Sequence, residues 1–379
     1  MARWKSVNWT RYHQIFSALA KNGHRVYVIQ PPPQFSQETS FQEIEVEIPQ
    51  NLFLQEVKVN PFIWKSRIPL NKLFKKGYYS YKCVSEVRRF IKDYDIDVIF
   101  LYNIPQLPLI DIKGCLKIFD IADDYPAMLK QELGIFSNPV LIKLGEYILR
   151  EMIEKSDLTL VVSRVLAEKI VSTNSDKIHI LPNGVDLDPS RIGSGKDIRA
   201  QYKKPIIGFI GSFEYFIDFE LMLEAARRLP DYTFLLVGTG RDFVEVKRLI
   251  GKLNLRNVVL TGGVAHSEIY KYIDAMDICL NIFRPISISH GACPIKLFEY
   301  LSMKKPVIST RLKELEYIDE DFLFYADNIK EVIEQIHYII ENSSLLTVRL
   351  EKGYSIVQSK YSWQVIVANF LRLIESKLN

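Results

Sequence analysis

The chain lacks most of the signatures that assign a protein at sight. No apolar run reaches the roughly 18–20 residues of a membrane-crossing helix. The opening stretch MARWKSVNWTRYHQ has no apolar core and does not read as a secretory leader. Cysteine is scarce. The four residues Cys83, Cys115, Cys279 and Cys293 are scattered, with no CxxC pair, so neither a disulfide framework nor a structural zinc site is expected. Cys83, Cys115 and Cys279 lie in apolar patterns and read as core residues. No GxSxG, HExxH or GxxxxGK[ST] motif occurs. The net charge of +4 is small for 379 residues and does not call for nucleic acid as a partner. A reducing cytoplasm is the expected compartment.

What is present is a regular alternation. At 379 residues with 48% hydrophobic and 25% charged content, two globular domains are expected. Short runs rich in Val and Ile recur at HRVYVIQ (24–30), IDVIFLY (96–102), LKIFDIA (116–122), DLTLVVS (157–163) and KIHILP (177–182). Helical patterns separate several of them, among them 10–23, 81–94 and 138–156. The pattern restarts with PIIGFIGS (205–212), YTFLLVG (232–238), NVVLTGG (257–263), DICLNIF (277–283) and KPVIST (305–310). Unbroken apolar strands joined by helices predict parallel sheets covered on both faces. Gly23 and Gly251 sit where helix C-caps are expected. A Gly-, Pro-, Asp- and Ser-rich stretch, 182–204, reads as a linker. Residues 1–9 do not read as the strand that usually opens such a domain. They read either as the remnant of a first strand-to-helix loop or as a truncated start.

The block HGACPIKLFEYLSMKKPVIST (290–310) reads as a loop of small residues, a short helix, a turn and a buried strand. Pro294 suits the first helical position. Lys296 and Glu299 then share one helix face, while Leu297 and Leu301 point toward the sheet. A helix start favours a phosphate, a nearby lysine adds charge, and a carboxylate one turn on can accept from a vicinal diol. That is nucleotide-sugar chemistry. The competing reading is an ordinary surface ion pair worth about 0.3–0.5 kcal/mol. Gly211, Ser212 and Gly238 end two strands where such sheets bind ligands, or they are plain turn residues. FDIADDYPAM places Asp120, Asp123 and Asp124 at a strand's end, suited to an acceptor hydroxyl or to capping a helix. Without a second acidic cluster or a His pair, no dedicated metal site is expected. Residues 58–92 carry ten Lys or Arg against one Glu, interleaved with aromatics. They suit an anionic membrane surface or a solvated face.

Together these residues resemble the GT-B glycosyltransferases, in particular the large retaining family four. The match spans nearly the whole chain: GHRVYVI, ILPNGVD, VGTGRD, NVVLTGGVAHSEIYKYIDAMDICLNIF, PIKLFEYLSMKKPVIST and YSWQVIVANF follow the family's order. The resemblance implies an α/β fold of two Rossmann-like, doubly wound domains facing a central cleft, with the C-terminal helix crossing back to the first. An acceptor domain would span 1–186 plus 360–379, its first strand missing or truncated, and a donor domain 187–359.

It implies transfer from a UDP- or GDP-linked sugar to a hydroxyl of a glycan or lipid-linked acceptor, with retention and without a metal or other cofactor. The work would be done in the cytoplasm, peripheral to the inner face of a membrane. By the same resemblance Lys296 would neutralise the diphosphate and Glu299 would bind the ribose. Gly211, Ser212, Gly238, Arg284, His290, Gly291, Pro294, Ile295 and Leu297 would line the donor. Arg11, His13, Asp123 and Asp124 would face the acceptor. The chain also departs from the family. The first of its two glutamates falls at Gly291, and the usual Arg and Lys after the strand at 206–211 are replaced by SFEYFID. A nucleotide-sugar epimerase of the same fold, or a non-catalytic module that binds a nucleotide sugar or glycan, would account for the same motifs.

Overall fold

The computed structural model describes residues 3–5, 10–31, 47–58, 60, 71–133, 138–170, 175–319 and 321–378. The basic segment predicted over 58–92 therefore lies outside the described residues at 59 and 61–70. The chain divides into two compact units, Met1–Pro182 with Val367–Asn379, and Asn183–Ile366.

The first unit opens with α1 (Arg11–Lys21), followed by β1 (Val26–Gln30), β2 (Leu52–Glu56) and α2 (Asn71–Tyr94). Then come β3 (Val98–Leu101), β4 (Leu116–Ile121), α3 (Tyr125–Leu133), α4 (Pro139–Lys155), β5 (Leu158–Val161), α5 (Arg164–Ile170) and β6 (Ile178–Ile180). Its strands form two sheets, the pair β1-β2 and the four-stranded β3-β4-β5-β6, with every pairing parallel. Strand β2 went unpredicted, and helix α3 was foreseen only as the helix that Asp123 or Asp124 would cap. NLFLQE ends in polar residues, and the Pro in YPAMLKQEL hides a helix that starts one residue earlier.

The second unit contains β7 (Ile206–Ile210), α6 (Phe219–Arg228), β8 (Thr233–Val237), α7 (Phe243–Lys252), β9 (Val258–Gly262), α8 (Ile269–Ala275) and β10 (Ile278–Asn281). It continues with α9 (Ile295–Ser302), β11 (Val307–Ser309), α10 (Lys313–Ile318), β12 (Phe324–Tyr325), α11 (Ile329–Glu341) and α12 (Thr347–Ile356). Helix α13 (Trp363–Leu378) begins in this unit and ends in the first. The strand order is β12-β11-β10-β7-β8-β9, again all parallel. In sequence terms that is 6-5-4-1-2-3, the doubly wound order, and its direction reverses between β7 and β10. Strands β7, β8 and β10 are fully buried, as a sheet covered on both faces requires.

Two predicted caps shift. Gly23 takes φ +93° just beyond α1 as expected, but Gly251 lies inside α7, and Asn254 takes the left-handed turn after it with φ +51°. Cys83, Cys279 and Cys293 are buried and Cys115 half-buried, all as free thiols.

Candidate active site

The second unit's site is built on α9. Pro294 is its N-cap, with φ −72° and ψ 120°, not its first helical residue as the sequence suggested. An extended cap leaves the N–H groups of Ile295 and Lys296 without helical acceptors. The preceding small-residue stretch is not all loop: Ser287–His290 forms one helical turn, which Gly291 closes at an ordinary φ of −95°. Four apolar contacts lock α9 in place. Leu297, Phe298, Tyr300 and Leu301 are all buried, and Phe298 stacks on Tyr361 at 4.4 Å. The Tyr300 hydroxyl accepts the Ile210 N–H at 2.8 Å, tying the helix to the end of β7. Asn183 donates to the Cys293 carbonyl and fixes the approach to the helix.

This anchoring aims Lys296 at the reversal point of the sheet. Its ammonium lies 4.7 Å from the centre of the Phe209 ring on β7 and 4.8 Å from that of Phe283, just past β10. A ring face attracts a cation but is no counter-ion. Burial lowers the Lys296 pKa to about 8, although Glu299 pulls the other way. Gly211, at φ +143°, makes room for this lysine: a Cβ there would stand 2.8 Å from Lys296 Cε.

Glu299 is buried, and its Oε1 lies 3.3 Å from His266 Nε2. The surface ion pair offered as the alternative does not form, since Glu299 turns to a histidine that sequence reasoning missed. The legible signal was position: His266 follows β9 by four residues, on the same carboxyl edge of the sheet. Behind it, the Tyr270 ring stands edge-on to His266 and carries the Arg191 guanidinium on its face at 3.7 Å.

The other predicted donor residues are placed less uniformly. Ser212 is exposed just after Gly211, and Pro294 and Ile295 are half-buried at the start of α9. Gly238, at φ +133°, has its Cβ space filled by the Gly211 carbonyl at 2.0 Å, so it lets two strand-to-helix turns pack together. Arg284 pairs with Glu220 at 3.7 Å on the surface. His290 Nδ1 accepts from the Lys313 N–H at 3.4 Å.

In the first unit, the carboxyl edge of the sheet sorts the three predicted aspartates. Asp120, at the end of β4, is fully buried and accepts from Arg11 Nη2 at 2.9 Å. Arg11 also donates to the Leu181 carbonyl at 3.0 Å. His13 caps α1: its Nδ1 accepts the Thr10 N–H at 3.1 Å, and its ring packs on Trp4. Asp124 caps α3 by accepting from Ala127 N–H at 3.2 Å, and it pairs with Lys169. Capping is thus what Asp124 does. Asp123, between them in the chain, is exposed to solvent beside dense protein. Desolvation pushes its carboxyl up to about 6 against the pull of Arg11, helped by Asp120 and Asp124.

The chain matches two family models. Glycosyltransferase Family 4 covers residues 10–189, and Glycosyl transferases group 1 covers residues 204–342. Among curated proteins it is 27% identical over 236 residues to the putative teichuronic acid biosynthesis glycosyltransferase TuaH of Bacillus subtilis. That match takes in 59% of this chain and 58% of TuaH, so the chain spans little more than half of that relative. Among solved structures, sucrose-phosphate synthase from Thermosynechococcus elongatus superposes with a TM-score of 0.76 at 18% identity, covering 96% of this chain and 92% of that one. Anabaena HepE in complex with UDP-glucose superposes with a TM-score of 0.64 at 16% identity, covering 86% of each. Likenesses at such identity speak for the fold. With one model on each unit and this fold beneath both, the chain belongs to the group 1 glycosyltransferases of the GT-B fold.

Proposed function

We propose that the protein moves a sugar from a nucleoside diphosphate sugar to a hydroxyl acceptor, a glycan or lipid-linked glycan, with retention at the anomeric carbon. The observation that carries this reading is Lys296. It is a half-buried cation with no ion pair among the described residues, held over two rings at the reversal point of a doubly wound sheet. A cation so placed waits for an anion.

The diphosphate then lies against Lys296 and the free N–H groups of Ile295 and Lys296, and the ribose diol donates to Glu299. As the bond from the anomeric carbon to the phosphate oxygen breaks, the growing charge falls on groups already oriented for it. The acceptor oxygen bonds to that carbon from the same face. Its proton passes to the departing phosphate oxygen, so no general base is needed. Asp123 positions the acceptor hydroxyl, since Asp124 is committed to its helix. Lys296 supplies the charge that a metal would otherwise bring, so chelation by EDTA leaves turnover unchanged.

A bound anionic surface also suits this acceptor class. Helix α2 exposes Phe74 and Tyr81 together with Lys82, Arg88 and Lys92. Flotation with liposomes tests this: binding that is equal with and without anionic lipid refutes it. For the reaction, a thermal-shift panel of UDP- and GDP-sugars is the test. At least one donor raises the midpoint of the protein, and Lys296→Ala removes that rise. A panel with no shift overturns the reading.

A further inference from the structure

We infer that His266 is a positioning residue for the donor: it sets the plane of the Glu299 carboxylate, and with it the site's preference for a ribonucleotide over a 2′-deoxynucleotide. This rests on the reading of Glu299 as the ribose acceptor and adds a residue that acts through it.

A vicinal diol is held best when each hydroxyl donates to one carboxylate oxygen, so the plane of the carboxyl group has to be right. The torsion that sets this plane is the last in a glutamate, and its preference is broad. Helix α9 places Glu299 near Lys296 but leaves the plane open. The fixing contact comes from outside the helix. His266 Nε2 lies 3.3 Å from Glu299 Oε1. A carboxylate only accepts, so Nε2 carries the hydrogen of that bond. The bond takes one of about four acceptor directions and leaves room for two hydroxyls.

The histidine is itself held. Its ring meets that of Tyr270 edge-on at 6.1 Å, and Tyr270 is buried in α8. The Arg191 guanidinium lies 3.7 Å from the centre of the same tyrosine ring. Arg191 Nη1 donates to the Asp186 carbonyl at 2.7 Å, and its Nε stands 3.6 Å from Asp188 Oδ2. A line of contacts therefore runs from the 186–191 segment through Tyr270 and His266 to Glu299. A chance surface pair would have no such backing. Exposure fits the same role. The Glu299 side chain is 7% exposed and that of His266 26%, so the carboxylate is enclosed while a ligand can come up to the pair from the imidazole side. Groups fixed before a ligand arrives need no ordering when it binds.

The test measures binding of UDP and GDP, each beside its 2′-deoxy form, to the full chain and its variants. His266→Phe keeps a ring against Tyr270 but removes the N–H. His266→Gln can place an amide N–H where Nε2 stands. The wild-type chain should favour one ribonucleotide over its 2′-deoxy form. His266→Phe should weaken that ribonucleotide about tenfold and the 2′-deoxy form far less, with the thermal midpoint in place. His266→Gln should recover most of the loss. Added to Glu299→Gln, His266→Phe should cost nothing more, because both act on one carboxylate. A ribose preference that survives His266→Phe would overturn the inference, as would a Gln variant no better than the Phe variant. Tighter ribonucleotide binding in either variant would also overturn it, by making His266 a latch that the ligand has to displace. Two further outcomes fall on the reading beneath. A wild-type chain that binds neither nucleotide brings down the donor reading and this inference together. One that binds without regard to the 2′-hydroxyl removes the ribose role of Glu299, and His266 with it, while nucleotide binding stands.

Discussion

Lys296 and Asp123 both have their ionisation shifted toward neutral pH. Burial lowers the lysine to about 8, and desolvation, helped by Asp120 and Asp124, raises the aspartate to about 6. For the lysine, the ammonium is present below that value and lost above it. For the aspartate, the carboxylate is present above its value and lost below it. If both act as proposed, kcat/KM for the free enzyme is bell-shaped, with limbs near pH 6 and pH 8. Lys296→Arg should keep the acid limb and move the basic limb out of range, because guanidinium does not titrate there. A basic limb that stays near 8 in this variant would remove Lys296 from the proton ledger. The neighbouring aspartates separate in the same way. Asp123→Asn is expected to lower turnover and abolish the acid limb while leaving the thermal midpoint in place. Asp124→Ala is expected to act through stability, at a cost of about 0.5–2 kcal/mol for the lost cap. Reversed outcomes, read by kinetics beside calorimetry, would exchange their roles.

At the level of elements, the glycines after β7 and β8 show how far a sequence can be read. Gly211 and Gly238 stood out because strands end there, and the carboxyl edge is where such sheets bind ligands. Their spaces are in fact taken by the protein itself: Lys296 fills one, and the Gly211 carbonyl the other. A sequence shows that a residue is small but not which atom needs the room. Gly240 is the sharper case. A Cβ there would meet the backbone N and O of Phe213 at 2.6 Å, where two turns cross and Phe213 N–H donates to the Thr239 carbonyl. Gly240→Ala should therefore destabilise the second unit by about 1–3 kcal/mol, since backbone yields less easily than a side chain. A midpoint within error of the wild type would show that the turns can part without cost. The helix α9 was legible for the opposite reason. Its block carries a strong local pattern, and Lys296 and Glu299 fall on it by spacing alone. The partner of Glu299 was not legible, because His266 lies thirty-three residues earlier and comes near only through the order of the strands.

For the whole molecule, the division of the chain matters more than its length. The first unit takes its last helix from the far end, so its stability depends on residues that follow the entire second unit. Phe370 is the centre of that dependence: it is 1% exposed and stands edge-on to Phe100 of β3 at 6.0 Å. The terminal pattern YSWQVIVANF reads as an amphipathic helix, but only the family resemblance, and not the pattern, assigned 360–379 to the first domain, because a helix pattern does not name the sheet it covers. Calorimetry should resolve two transitions, as units with separate cores need not unfold together. Phe370→Ala should lower one of them, with a loss of about 3–5 kcal/mol for a buried ring. A nucleotide bound through Lys296 and Glu299 should raise the other, by an amount set by its concentration over its Kd. The two perturbations then act on different transitions, and each serves as the control for the other. If Phe370→Ala and nucleotide move the same transition, then either the units melt as one or the donor does not rest on the second unit. Repeating the scan with Lys296→Ala decides between these: loss of the nucleotide shift with both transitions otherwise unmoved keeps the donor on α9.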